Sequence, residues 1–95
     1  NFGPEPESVS TVRQVARQMI SVYGEGEILD ISRPGQPHET SLLTLNIDQA
    51  KEELGWKPKL DVSESIEMTA RWYKGYRTED VYGMCIDQIE AYCKK

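Results

Sequence analysis

The stretch from Asn46 to Pro58 constrains the folding of this chain more than any other. The side-chain oxygen of Asn46 suits an N-cap, accepting one of the amides that a first helical turn leaves unpaired. Asp48 follows at the end of a helix that favours negative charge. Gly55 supplies the left-handed residue that closes a helix. Pro58 then prevents the helix from resuming. A helix of about two turns is thus fenced at both ends, and Trp56 to Leu60 are expected to cross back over the surface.

The rest of the chain divides around that unit. Residues 1–7 read as an extended entry, because Pro4 and Pro6 exclude regular helix. Ser8 or Ser10 is placed to cap a helix running to about Tyr23. Val9, Val12, Val15, Ala16, Met19, Ile20 and Tyr23 recur at three- and four-residue spacings and make its apolar face. Gly24-Glu25-Gly26 ends it. Glu27 to Ile31 and Leu42 to Leu45 are short strand candidates, separated by a loop rich in Pro and Gly. Asp61-Val62-Ser63-Glu64 has the spacing of a capping box and opens a helix to about Tyr76. Its expected inner face is Val62, Ile66, Thr69, Ala70 and Tyr73. After a turn over 77–83, a last helix from about Met84 to Tyr92 is expected to bury Cys85, Ile89 and Tyr92.

The expectation is a single α+β domain over residues 1–95, mostly helical, with about four helices and two or three short strands. Too few strands are available for a doubly wound dinucleotide-binding sheet. With 11 basic and 16 acidic residues the formal charge is −5. That balance argues against nucleic acid as a partner, since phosphate binding draws on Lys and Arg. No apolar run approaches the ~18–20 residues of a membrane span. Cys85 and Cys93 lie eight apart in one helical pattern, or about 12 Å along its axis. A disulfide needs Cα atoms within ~7 Å, so both are expected as free thiols, which suits a reducing cytoplasm.

Motifs for self-contained chemistry are missing from the sequence. Gly24-Glu25-Gly26 lacks the third glycine of a pyrophosphate-binding turn and follows a helix instead of a strand. No tyrosine is followed four residues later by lysine. The near miss, Tyr73 with Arg77, lies on a helix face assigned to the core. His38 is the single histidine, so any nucleophile–histidine pair would depend on it. Zinc-type spacing of Cys and His is not visible. Glu52-Glu53 and Glu25 with Glu27 read as solvated charges. We expect no catalytic, cofactor-binding or metal-binding residue in this chain.

One resemblance covers nearly the whole chain in order. Asn46 to Pro58, with Ala50 and Leu54-Gly55-Trp56, resembles the "D-x-x-K-A-x-x-x-L-G-W-x-P" signature of extended short-chain dehydrogenase/reductases acting on nucleotide sugars. Asn1-Phe2-Gly3-Pro4 at the start, Gln36-Pro37-His38-Glu39 in the middle and Thr69 to Tyr73 in the later helix agree with it. The tail, Glu79 to Met84 and Gln88 to Tyr92, looks most like the CDP-glucose 4,6-dehydratase subfamily.

What that resemblance implies is a C-terminal substrate-binding lobe, cut from a larger cytoplasmic enzyme and inactive alone. NAD and the catalytic residues would belong to a missing N-terminal NAD-binding domain. The whole enzyme would oxidise the sugar at C4, eliminate water across C5 and C6 and return hydride to C6. Its product would feed deoxysugar synthesis for surface polysaccharide such as O-antigen. The resemblance places substrate contacts in Arg33 to Thr40 and after Asn1. The family's "R-P-x-E" string reads Gln36-Pro37-His38-Glu39 here, with glutamine replacing arginine. Glu39 then stands where relatives contact ribose. Arg33, Gln36, His38 and Asn1 complete the candidate set for CDP-glucose, each with exposed loop polarity as the ordinary alternative. The same lobe of a GDP-mannose dehydratase or of a nucleotide-sugar epimerase stays open, as does a small acidic helical module that binds a protein partner.

Overall fold

Four helices carry the described part of the chain. In this computed structural model, residues 1–31, 33–35 and 44–95 are described. The elements are α1 (Val12–Tyr23), α2 (Asp48–Leu54), α3 (Val62–Gly75) and α4 (Val81–Lys94). Helix α3 is the central one, packing against α1 on one side and α4 on the other.

The start of α3 forms as the sequence predicts. Asp61 accepts the Glu64 amide at 2.8 Å, and the Glu64 carboxylate accepts the Asp61 amide at 3.0 Å. Three long-range contacts close on the same turn. Ser8 Oγ accepts the Val62 amide at 2.9 Å, satisfying a helix-start donor from 54 residues away. Gln18 of α1 donates its side-chain amide to the Ser63 carbonyl at 2.7 Å and to its hydroxyl at 2.8 Å. The Lys95 ammonium donates to the other carboxylate oxygen of Glu64 at 2.9 Å. Ser8, expected as a possible cap for α1, therefore serves α3. Thr11 caps α1, forming a reciprocal box with Gln14.

Helix α2 begins and ends close to where its punctuation places it. Asn46 Oδ1 accepts the Asp48 amide at 2.8 Å from one position before the nominal cap, Ile47. Gly55 adopts φ 63°, ψ 18°, and its amide and that of Trp56 bond back to the Lys51 and Ala50 carbonyls. Helix α4 begins three residues earlier than the sequence predicts, at Val81, because Asp80 accepts the Gly83 amide.

The expected α+β class is corrected. Among the described residues there is no strand, and the architecture is all-α. Glu27 to Ile31 has the apolar, β-branched character of a strand. That character favours a half-buried pleated surface, and a strand also needs a ladder partner. No described residue pairs with it in a sheet. For the second strand candidate, Leu42 and Leu43 lie outside the described residues, and Thr44 and Leu45 are not in a strand.

The core is thin. Among the described residues, only Ile47, Ala50 and Ala70 are buried hydrophobics, with Ala70 fully covered. The molecule measures 46 × 40 × 17 Å with a radius of gyration of 16.1 Å. A globule of this length has roughly 12 Å. One layer of helices with solvent on both sides cannot hide every apolar face. Thr69, Tyr73 and Ile89, predicted to face inward, are exposed for this reason, while Cys85 and Tyr92 are half-buried.

Two outcomes follow from the first turn of α3. Asp61→Ala should lower the unfolding free energy by about 1 kcal/mol, and Asp61→Asn should retain most of the stability in the same urea titration. The carboxyl of Glu64 is held below its ordinary value, first by the Lys95 hydrogen bond and then by the Asp61 amide. A depressed carboxyl stabilises the fold above its unfolded pKa. That contribution disappears as pH falls from about 4.5 through the lowered folded value. Carbon-detected NMR titration of Glu64 should show the lowered midpoint, and Lys95→Met should raise it towards the ordinary value.

Candidate functional site

The N-terminal segment meets the exit of α2. The ring of Phe2 stands edge-on to Trp56, with centroids 5.1 Å apart. A side chain at Gly3 would begin 3.3 Å from the Leu45 side chain, so the backbone at Gly3 lies close to the segment entering α2. Glu5 pairs with Lys51 of α2 at 2.6 Å. These contacts join residues 1–5 to 44–56 although they are some 45 positions apart in sequence.

Two cavities flank this junction. One, about 180 Å³, is lined by Gly3, Pro4, Trp56, Pro58, Lys59 and Tyr92, among others. Its polar groups are engaged already. The Lys59 ammonium donates to the Cys93 carbonyl at 3.5 Å and lies 5.2 Å from the centre of the Tyr92 ring. The other cavity, about 260 Å³, lies between residues 4–10 and Thr44-Leu45, closed beneath by Val15 and Val62. Thr44 is the first described residue after the stretch holding the candidate loop. The second cavity is therefore bounded by the stretch that follows Asn1 and by residues that lead into α2.

Of the five predicted site residues, two are described. Asn1 is exposed and precedes Phe2 in sequence. Arg33 is exposed and immediately precedes the Pro34-Gly35 turn, where Gly35 takes φ 83°. Gln36, His38 and Glu39 lie outside the described residues. Among the described residues no group of three or more Cys, His, Asp or Glu is arranged to hold a metal.

Sequence reasoning missed an aromatic cluster where α3 ends. Trp72 stacks on Tyr76, with planes 2° apart and centroids 5.2 Å apart, and Tyr73 stands edge-on to both. The Trp72 indole donates to Cys85 Sγ of α4 at 3.4 Å. Arg77 lies over the Tyr76 ring and donates to its hydroxyl. The spacing Trp72, Tyr73, Tyr76 was the available signal, but helical periodicity assigned Tyr73 to the core. In the fold it is 52% exposed. The near miss of Tyr73 with Arg77 does not form a pair, since Arg77 turns to Tyr76.

No family model matches the chain, and no solved structure does. Two curated proteins are similar to it. CDP-glucose 4,6-dehydratase of Salmonella typhimurium is 30% identical over 82 residues, 85% of this chain and 23% of that protein. UDP-glucuronate 4-epimerase 3 of Arabidopsis thaliana is 32% identical over 76 residues, 80% of this chain and 16% of that protein. The chain therefore spans less than a quarter of the length of these relatives. These relatives bear out the family resemblance: the chain is related to a part of the extended short-chain dehydrogenase/reductases, among them a nucleotide-sugar dehydratase and an epimerase.

Proposed function

We propose that this chain is the nucleotide-recognition lobe of a CDP-glucose 4,6-dehydratase and does no chemistry alone. The observation that carries this reading is the similarity to the Salmonella enzyme over 85% of the chain. The junction of residues 1–5 with 44–56 supports it, because it packs the N-terminal stretch against the Leu54-Gly55-Trp56 unit on which the resemblance rests.

Recognition would divide between charge and hydrogen bonding. A ribose diol presents two hydroxyl donors, and the Glu39 carboxylate has acceptor sites for both. A diphosphate calls for a guanidinium or backbone amides. The position beside Pro37 carries Gln36, so Arg33 is the cation assigned to the phosphates. His38 and Asn1 add polar contacts at the edge of the loop. NAD would supply the hydride chemistry from the rest of the enzyme, and the residues of this chain would bind, orient and close over the substrate.

A second reading, the same lobe of an epimerase, is favoured by the 32% identity to the Arabidopsis protein. Ligand-observed NMR competition on this chain separates the two. CDP-glucose should bind on the order of millimolar, because part of a site forgoes many contacts. It should outcompete UDP-glucuronate, dTDP-glucose and GDP-mannose. Glu39→Gln should weaken it by about tenfold, as expected for loss of a hydrogen bond to a charged group. A preference for UDP-glucuronate would transfer the chain to the epimerase reading. Equal affinity of Glu39→Gln and the unaltered chain would remove Glu39 from the site.

A further inference from the structure

We propose that the cavity between the N-terminal segment, the exit of α2 and the end of α4 is a binding site for a small aromatic carboxylate. It measures about 180 Å³. A cavity of roughly 150 Å³ holds a benzene ring, whereas sites for larger ligands run from about 300 Å³ upward. A single-ring molecule fits this space and a nucleotide sugar does not. The site is therefore separate from the one proposed for the nucleotide sugar, and the inference does not rest on that reading.

The walls select the ring. Trp56 enters from the exit of α2 and Tyr92 from the last turn of α4, and Pro4, Pro58 and Leu60 complete an apolar lining. All five are half-buried. Phe2 already stands edge-on to Trp56, and aromatic rings favour further edge-on or offset neighbours.

Lys59 selects the charge. Among the described residues that line the cavity, it alone carries a full charge. The ion pairs of the described residues use Arg13, Lys51, Arg71 and Lys95, and none uses Lys59. Its ammonium donates instead to the neutral Cys93 carbonyl at 3.5 Å, long for an N–H···O bond. It also lies 5.2 Å from the centre of the Tyr92 ring. An ammonium has three N–H donors, so it can take an anion while keeping its contact to α4. The Ser65 hydroxyl donates to the Asp61 carbonyl at 2.8 Å, which leaves Lys59 as the side chain to hold the anion. One cation in a chain of formal charge −5 suits a single negative charge and disfavours polyanions. A carboxylate on one ring meets both requirements.

Chemical-shift titration of the chain with sodium benzoate tests the site at low ionic strength, where exposed charges are least screened. Benzyl alcohol serves as the ring without charge, and acetate as the charge without a ring. Benzoate should shift the Trp56 indole, the Tyr92 ring and the Lys59 ε-protons saturably, with a dissociation constant on the order of millimolar. Benzyl alcohol and acetate should each bind at least about threefold more weakly. Lys59→Met, which keeps the side-chain stem, should weaken benzoate by about three- to fivefold, the range of a partly exposed ion pair. It should leave benzyl alcohol binding unchanged, and Lys59→Arg should restore most of the benzoate affinity. Equal affinity for benzoate and benzyl alcohol overturns the proposal, because charge would then play no part. Acetate binding as tightly as benzoate overturns it too, because the ring would then play none. So do benzoate shifts that never saturate, or a Lys59→Met chain that binds benzoate as the unaltered chain does. If Lys59→Met disturbs the fold, the comparison of the three ligands on the unaltered chain decides. No nucleotide is present, so the result is independent of any preference for CDP-glucose.

Discussion

The first turn of α3 is the point on which the described fold depends. Any helix start leaves amides unpaired. Here they are satisfied partly from within, by Asp61, and partly from a distance, by Ser8. The same turn receives Gln18 from α1 and, through the Glu64 carboxylate, Lys95 from the chain end. Three other parts of the sequence are thus registered against one turn by hydrogen bonds with defined geometry. The apolar contribution is small, since three hydrophobic residues are buried among those described. Direction in this thin fold comes from polar contacts to an extent unusual for a domain whose core would otherwise set it.

That arrangement positions the candidate site indirectly. Ser8 anchors the end of the N-terminal segment to α3, and the Glu5–Lys51 pair anchors its middle to α2. Phe2 then rests on Trp56, the residue that Gly55 turns out of α2. The left-handed Gly55 is consequently more than a stop signal. It sets where the tryptophan ring lies and so where the N-terminal stretch can lie against it. The ion pairs in this system are partly exposed and are worth little individually. Their effect is on register.

Much of the helical layout was legible from local rules. The Asp61–Glu64 box and the Gly55 stop depend on side chains within four residues, so spacing alone reveals them. The cap of α1 was less legible because Ser8, Ser10 and Thr11 can all donate or accept in the same way. Only the Val62 amide, 54 positions on, shows why Ser8 is used elsewhere. The strand expectation failed at Glu27 to Ile31 for a related reason. Residue character favours extension, whereas a ladder depends on partners that no local pattern supplies. Tyr73 and Ile89 were misread because periodicity marks a face without saying whether anything covers it. Of the candidate site, Asn1 and Arg33 can be placed, and the stretch 36–40 rests on the resemblance.

The proposed function assigns Asn1–Gly3 and the stretch 33–40 to one nucleotide-sugar site. The most direct test is a ¹⁵N-labelled NMR titration of the chain with CDP-glucose, read by location. The account predicts shifts for Phe2, Gly3, Arg33, residues 36–40 and the Trp56 indole, with α3 and α4 unchanged. Shifts confined to Trp72, Tyr73 and Tyr76 would place binding on the aromatic face at the end of α3 and contradict it.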